Sequence, residues 1–409
     1  MATITKQAAG SKPKIKDIKL SALLEVTKAI NSNHSVTQLL EIFEHTLRNQ
    51  LNIGKLILFS KDEKWKILLK YGVGNDYNNV NVEKDFANLT EITTIDSVSQ
   101  SLKKTFEIII PIFHKTIPLA YVLIGDLNED KVEVSPTIKH LPFIQTLTNI
   151  IIVAIENKKL AKENIRQAAI QRELDLASEM QSMLFPTTLP HDKQLDIAAV
   201  YLPHHQVGGD YYDFIRLNEN EIAFCMADVS GKGVAAALLM SNFQANLRIL
   251  FNHTTSLADL VKELNAKVMA NAKGEKFITL FIAKYNMVTR VLNYINAGHN
   301  PPLISSGKNT NLLKIGCTGL GMFEELQKVK EGIINVSPKT TILCYTDGVV
   351  ELENNNGKEF GIENLTKTLI ENPNLDMTNL NQLVVKKLNN HKENQPYIDD
   401  ITLFSCRLF

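Results

Sequence analysis

The chain has 409 residues, enough for two domains that each bury their own core. Its 44 lysines and arginines balance 44 aspartates and glutamates, so no net charge favours nucleic acid or an anionic membrane as a partner. The four cysteines are Cys225, Cys317, Cys344 and Cys406, and they form no CxxC pair. They are expected to be small buried side chains in a reducing, cytoplasmic compartment rather than disulfides or zinc ligands.

The N-terminal segment, residues 1–19, contains lysines but neither an apolar core nor a cleavage site for a secretory signal. It is predicted to be a disordered tail. The apolar runs "EIIIPIF" and "NIIIVAI" are much shorter than the ~20 residues that span a bilayer, so no transmembrane helix is expected.

Residues 20–157 show helices, then a sheet, then another helix. Two amphipathic helices lead, the second behind a Ser35 cap, and "KLILFS" and "WKILLKYG" are predicted strands. A hairpin is predicted across "HKT", and Ser135-Pro136 opens an exit helix that Pro142 is expected to kink. This order resembles a GAF domain, a common sensory module. No cluster of Cys, His or acidic residues identifies a ligand, so dimerisation or packing is as good an interpretation as sensing.

The exit helix is predicted to continue through residues 158–186, a charged and alanine-rich linker, to a stop at Pro186. Five positions recur at alternating spacings of four and three: Ile170, Leu174, Ala177, Gln181 and Leu184. The spacing favours a connector of two helices or a short coiled coil, and the alternative is a single amphipathic helix on the next domain. We therefore expect a homodimer through the GAF-like domain and this linker.

Residues 187–409 have the composition of short strands separated by many turns. Six segments are strand-like: "LDIAAVYLP", "NEIAFCMADVS", "ITLFIAKYN", "RVLNYINAG", "TTILCYTDG" and "DITLFSCRLF". Three stretches are helical: "GVAAALLMSNFQANLRILF", "SLADLVKELNAKVMANA" and "NLNQLVVKKLNN". Antiparallel-looking neighbours together with long helices predict a layered α/β sandwich.

Acidic residues in this half stand at strand ends or turns. Asp210 follows two glycines in "VGGDYYDF", Asp228 ends "IAFCMAD", Asp347 ends "TILCYTD", and Asp399-Asp400 precede "ITLFSCRLF". One Asp-Gly is an ordinary turn signal, but four such points in one domain indicate more. Carboxylates are the ligands of hard divalent cations such as Mg²⁺ and Mn²⁺, and glycines leave room for carbonyls and waters.

Several isolated features allow more than one interpretation. "VGGDYYDF" is compatible with a tight turn or with the GGDEF signature of a diguanylate cyclase, but Tyr211 stands where the cyclase requires an acid. Lys232 in "SGKG" lacks the spacing of a phosphate-binding P-loop, although a helix after Gly233 would still aim amides toward an anion. Four other residues are expected to be structural or loop residues: His204, His205, Asp213 and His299.

The C-terminal motifs, in their order, resemble the PPM-type metal-dependent serine/threonine phosphatases, related to type 2C protein phosphatases, and among them the SpoIIE/RsbU-like branch. The motifs are "LASEMQSMLFPTTLP", "VGGDYYDF", "MADVSGKGVAAALLM", "NAGHNPPLI", "TGLGMF", "CYTDGVVE" and "YIDDITLFSCR". The resemblance implies two antiparallel β-sheets flanked by helices. It also implies a protein phosphatase controlled by its N-terminal sensory domain and acting on a phosphorylated regulatory protein, such as an anti-anti-sigma factor of the STAS fold.

The resemblance further implies two bound ions, Mn²⁺ or Mg²⁺. The implied ligands are Asp210, Asp228, the backbone carbonyl of Val229, Asp347, Asp399 and Asp400. Asp228 would lie between the ions, Asp210 would belong to one of them, and Asp347 and Asp399 to the other. Asp399 is preferred over Asp400 because it stands where the family's acidic pair begins.

Asp228 and Asp347 are the implied catalytic positions, and a water that bridges the ions would attack phosphorus in line. Ser230 stands near the point where eukaryotic relatives carry a histidine, so the proton donor is unassigned. The alternative is a catalytically silent fold that acts as a phosphoprotein-binding or partner-switching module. The intact acids argue against it.

Overall fold

The computed structural model describes residues 15–74, 77, 80–86, 88–95, 102, 105–125, 136–253, 256–307 and 309–409. The chain divides into two compact units, unit 1 (Met1–Ala168) and unit 2 (Ala169–Phe409). The division lies within the predicted linker, residues 158–186. Ser135 and most of the predicted tail lie outside the described residues, whereas residues 15–19 are helical rather than part of a tail.

Unit 1 is built on one five-stranded sheet. Its elements are α1 (Ile15–Asn31), α2 (Val36–His45), a π-helical turn (Thr46–Gln50), β1 (Lys55–Lys61), β2 (Trp65–Tyr71), α3 (Val82–Phe86), β3 (Thr93–Thr94), β4 (Ile108–His114), β5 (Ile117–Gly125) and the first part of α4 (Pro136–Ser182). The strand order is β2-β1-β5-β4-β3, with antiparallel neighbours. Ser35 caps α2 and the β4–β5 hairpin turns at "HKT", both as predicted.

Both faces of this sheet are covered. Leu56 and Leu58 point to one face and pack with residues of α1, α2 and α4, whereas Ile57 and Phe59 point to the other face and pack with α3. The helix α4 runs through Pro142 and ends at Ser182, before the predicted stop at Pro186. The predicted order of helices and strands is therefore present in unit 1, and its resemblance to a GAF domain stays a prediction.

Unit 2 follows with two sheets. After the end of α4 it contains β6 (Leu195–Leu202), β7 (Tyr211–Arg216), β8 (Glu221–Val229), α5 (Val234–His253), α6 (Leu257–Ala272), β9 (Ile278–Asn286), β10 (Val291–Ala297), β11 (Leu303–Ser306), β12 (Asn309–Leu312), β13 (Gly316–Cys317), β14 (Gly332–Asn335), β15 (Thr340–Tyr345), α7 (Asp347–Val350), α8 (Gly361–Glu371), α9 (Met377–Lys392) and β16 (Ile401–Leu408). One sheet has the order β13-β10-β9-β8-β7, with β14 also on β10, and the other β12-β11-β15-β16-β6.

The two sheets of unit 2 pack face to face. The ring of Phe224 in β8 stacks on that of Phe404 in β16 with centroids 5.5 Å apart. Helices α5 and α6 cover the β8–β10 side, while α8 and α9 cover the β15–β16 side. The predicted α/β sandwich of two sheets flanked by helices is confirmed, and each of the six predicted strand segments contains a strand.

The cysteines are free thiols; Cys225, Cys344 and Cys406 are buried as predicted, whereas Cys317, also predicted to be buried, is only half-buried. Two helices in the described part of the chain, Thr137–Ser182 and Val234–Phe251, are long and apolar enough to cross a membrane by length and composition alone. About half of each apolar window is buried within the structure, and core helices pass the same test. The predicted lack of a membrane span therefore stays a prediction.

Candidate metal centre

The first pair of predicted acids is brought together by the β7–β8 register. Tyr211 pairs with Ala227 in this antiparallel ladder, so Asp210 before β7 stands opposite Asp228 near the end of β8. The two carboxyl groups are close enough that the charge of Asp228 opposes ionisation of Asp210. Asp210 is buried, only 2% exposed, whereas Asp228 is half-buried.

The second sheet supplies the other acids in the same way. Tyr345 pairs with Leu403, so Asp347 after β15 and Asp399-Asp400 before β16 lie at one edge. The amide of Thr402 donates to Thr346 Oγ1 at 3.0 Å, which fixes the two segments against each other. Antiparallel pairing thus converts acids far apart in sequence into neighbours.

Three hydrogen bonds join the acid-bearing ends of the two sheets, one to Asp210 and a pair to Asp400. Thr402 Oγ1 donates a short hydrogen bond to Asp210 Oδ2. The amide of Gly209 donates to Asp400 Oδ2 at 3.0 Å, and the amide of His204 donates to Asp400 Oδ1 at 2.7 Å. The pair of bonds to Asp400 favours a structural role for this residue, since both of its oxygens hold the loop that leads to Asp210. Its role as a ligand stays a prediction.

Glycines permit this close approach. A Cβ on Gly209 would lie 2.8 Å from the carbonyl oxygen of Val229, and one on Gly348 would lie 2.2 Å from the carbonyl oxygen of Asp400. Cβ atoms essentially never approach that closely, so any larger residue would force the segments apart. These glycines therefore make room for neighbouring backbone, and their predicted role in admitting carbonyls and waters to a metal stays a prediction.

The cluster is electrostatically strained without cations. Burial, followed by the charges of Asp347, Asp399 and Asp400, raises the pKa of Asp228 to about 7. Burial and then the charge of Asp228 raise the pKa of Asp210, and burial and then Asp399 raise the pKa of Asp347. Each acid therefore opposes ionisation of its neighbours, and positive charge would relieve this repulsion.

One lysine already supplies some of that charge. Lys232 Nζ lies 2.9 Å from Asp399 Oδ2 and donates to the carbonyl of Ile398 at 2.9 Å. Among the residues that the structure describes, it is the only cation in an ion pair with these five acids. In the sequence Lys232 lies near Asp228, but nothing there indicates the contact with Asp399, which lies far downstream.

The residues fit hard divalent cations by donor chemistry and position. Asp210, Asp228, Asp347 and Asp399 provide carboxylate oxygens at one edge of the sandwich, and the Val229 carbonyl faces Gly209, where no side chain intervenes. In the described part of the chain, no three His, Cys, Asp or Glu side chains stand ready in coordinating geometry. The donors are therefore assembled, whereas their final orientation is not preformed.

Asp213 and His299 are buried and have structural partners, in agreement with the sequence interpretation. Asp213 accepts from Tyr211 Oη at 2.5 Å and from Arg248 Nε at 2.8 Å. His299 Nδ1 lies 2.9 Å from Thr279 Oγ1, and burial lowers the pKa of His299 to about 4. The exposed His204 and His205 stack on each other in the loop, with ring centroids 4.4 Å apart.

Gln181, near the end of α4, also contacts the site. Its Nε2 donates to the carbonyl of Gly208 at 2.7 Å, and its Oε1 accepts from the Gly208 amide at 3.1 Å. The ring of Phe185 packs on Tyr201 and Tyr212 with centroids 5.0 and 4.9 Å away. The only signal for this contact in the sequence is that Gln181 occupies a position of the four-and-three spacing where an apolar residue is expected.

Comparison with known proteins places unit 2 among phosphatase relatives. Residues 218–409 match the family model "Stage II sporulation protein E (SpoIIE)". The chain is 33% identical over 193 residues to the phosphoserine phosphatase RsbU of Bacillus subtilis, an alignment that covers 47% of this chain and 57% of RsbU. It is 27% identical over 276 residues to the protein IcfG of Synechocystis, with 61% of this chain and 43% of IcfG covered.

A solved structure supports the fold. The SiaA-PP2C domain of Pseudomonas aeruginosa superposes with a TM-score of 0.54 at 21% identity, covering 60% of this chain and 99% of that domain. The chain spans about half the length of the curated relatives it matches. The comparisons thus confirm the predicted family resemblance of the C-terminal half and its sandwich fold.

Proposed function

We propose that this chain, whose C-terminal unit is a SpoIIE-type PP2C phosphatase domain, hydrolyses phosphoserine or phosphothreonine in a regulatory protein with the help of divalent cations. The observation that carries the proposal is the convergence of five carboxylates from two sheets at one edge of the sandwich, where Lys232, paired with Asp399, is the only cation in an ion pair with these acids among the described residues. The relative RsbU is named a phosphoserine phosphatase, which supports the substrate class.

Each residue of the cluster has a distinct task in this proposal. Bound Mn²⁺ or Mg²⁺ would supply charge neutralisation for the phosphoryl group and an activated water. Asp228 would serve both positions, Asp210 would hold one of them with the carbonyl of Val229 nearby, and Asp347 and Asp399 would hold the other. Thr402 restrains the position of Asp210 through its hydrogen bond to one carboxylate oxygen, while the final orientation of the donors would be set when a cation binds.

Phosphate release by the full-length chain tests this activity. We expect turnover of a phosphoserine peptide and of p-nitrophenyl phosphate with Mn²⁺, none in excess chelator, and a loss of at least 100-fold in Asp347→Ala. Asp259→Ala is the matched control, because Asp259 is exposed in the first turn of α6 and should keep full activity. Turnover that persists in chelator or in Asp347→Ala would refute the metal-dependent mechanism, whereas no turnover with Mn²⁺ would favour a silent binding module.

We further propose that α4 controls the site on behalf of unit 1. Gln181 grips both polar groups of the Gly208 backbone, two positions before Asp210, so a shift of the end of α4 would move a ligand loop. Proline at Leu174 should therefore uncouple turnover from unit 1, whereas Leu174→Ala keeps the helix. If Leu174→Pro and wild type show equal turnover under every input tried, the proposal that α4 controls the site is contradicted.

The remaining proposals concern partners and location. A STAS-fold anti-anti-sigma factor is the proposed substrate, and a comparison of phosphoproteomes with and without the protein would identify it. The proposed location is the cytoplasm. A homodimer through α4 is also proposed, and the exposed apolar side chains of this helix, among them Ile165, Ile170 and Met180, support it. A monomeric mass by light scattering at micromolar concentration would contradict the dimer.

A further inference from the structure

A groove of about 330 Å³ opens in unit 1 between the β1–β2 turn and α4. Its apolar floor includes Val36, Leu68 and Ile155. Five lysines line it: Lys61, Lys66, Lys158, Lys159 and Lys162. Only two acids, Asp62 and Glu156, accompany them, so this lysine groove is strongly positive although the chain as a whole carries no net charge.

The lysines are partly organised by an internal anion. The carboxylate of Asp62 binds Lys66 Nζ at 2.9 Å and also pairs with Lys159 of α4, and these two cations lower the pKa of Asp62 to about 2. Lys158 donates to the side-chain oxygen of Asn33. Among the described residues, Lys158 and Lys162 have no acidic partner within ion-pair distance, so their charge remains available to a ligand.

We propose that the lysine groove binds a small organic anion, with a phosphate or carboxylate head and a short apolar body. Ammonium groups hold phosphate and carboxylate oxygens through charge-assisted hydrogen bonds, while the apolar floor would bury hydrocarbon. Ligand pockets span ~300–1,000 Å³, so a groove of about 330 Å³ limits the occupant to a small molecule. Because α4 forms one wall, an occupant would tie this helix to the β1–β2 turn.

Binding can be measured on the full-length chain without any turnover, so it stands or falls independently of the phosphatase proposal. Calorimetry is the primary measurement. The single tryptophan, Trp65, lies 5.8 Å from Lys61 Nζ but packs on the face of the sheet that α3 covers, so its fluorescence is a supporting readout only. Octyl phosphate and octanoate are the anionic probes, and octanol is the neutral control of equal chain length. We expect saturable binding of an anionic probe at least 10-fold tighter than that of octanol.

The two anionic probes distinguish the possible heads. Tighter binding of octyl phosphate assigns a phosphate ligand, and tighter binding of octanoate assigns a carboxylate ligand. The proposal is overturned if neither anionic probe binds more tightly than octanol. Sedimentation with phosphatidylglycerol vesicles, without binding of either soluble probe, would assign the lysines to a membrane surface and likewise overturn it.

Charge variants locate the site. The double variant Lys158→Glu/Lys162→Glu should weaken binding at least 10-fold, whereas Lys28→Glu/Lys139→Glu makes the same charge change at exposed positions that do not line the groove. Asp62→Asn removes the internal anion and should tighten binding about threefold or more. An equal loss in both double variants, or an unchanged or weaker affinity in Asp62→Asn, would overturn the proposal.

Discussion

Removing the charge of Asp228 is expected to stabilise the metal-free protein at high pH. The pKa of this carboxyl is raised from 3.8 to about 7, by burial first and then by the charges of Asp347, Asp399 and Asp400. The folded state therefore holds a proton that the unfolded chain releases, so stability falls as pH rises from about 4 to about 7. A shift of about three pKa units corresponds to roughly 4 kcal/mol, an upper value because the neighbouring acids share the repulsion.

The effect is best measured as a difference between two pH values. Of that penalty, roughly 2.5 kcal/mol develops between about pH 5 and pH 8, so the stability advantage of Asp228→Asn should grow by this amount. The free energy of unfolding is measured by urea titration in chelator. Hydrogen exchange of peptides from β7 and β8 follows the transition, so the value obtained is that of unit 2. Asp175→Asn, at an exposed position of α4, is the control and should show no such growth.

Cations should reverse the order of stability. On the proposed function, Mn²⁺ would bind the native cluster and stabilise wild type by mass action, whereas Asp228→Asn would lack one of the proposed ligands. Two results would refute the electrostatic reasoning. One is a stability advantage of Asp228→Asn that does not grow with pH, and the other is a wild type that is more stable than Asp228→Asn in chelator at pH 8.

Two further variants test the framework of the site. Gly209→Ala would place a Cβ 2.8 Å from the carbonyl oxygen of Val229, so kcat should fall about 10–100-fold. In Gly319→Ala the atom nearest the new Cβ is a flexible side-chain end at 3.0 Å, and near-normal kcat is expected; equal activity of the two would contradict the steric reasoning. Arg248→Met leaves the buried Asp213 without its cation and should lower the free energy of unfolding by about 3 kcal/mol, measured by urea unfolding. Arg248→Lys should recover part of this loss, and wild-type stability in Arg248→Met would contradict it.

Much of the fold of unit 2 is predictable because its strands are buried. β8, β15 and β16 are runs of β-branched, aromatic and small residues bounded by turn signals, and such runs can be recognised as strands from the sequence. β7 was missed because Gly208, Gly209 and Asp210 directly before it have the appearance of a turn, although its two tyrosines favour a strand. The short strands β11–β14 have too few residues to show a period.

The positions of the acids were predictable for a different reason. Each acid ends or begins a strand, and antiparallel neighbours bring a strand's end beside the next strand's start. The partners of the acids were not predictable in this way. Lys232 reaches Asp399 and Arg248 reaches Asp213 through the packing of loops and helices, which leaves no periodic trace in the sequence.

The same geometry explains why the site is suited to both cations and control. Burial and shared charge make the ionised cluster costly, and the sheets and the glycine contacts hold the acids together against that cost. Cations that relieve the repulsion therefore gain binding free energy from strain already present in the fold. Because Gln181 holds the backbone of Gly208, two residues before Asp210, a small displacement of α4 would, on the proposed control, move the loop that carries this acid. A change in cation affinity, rather than in fold, is thus the effect expected from a signal that moves α4.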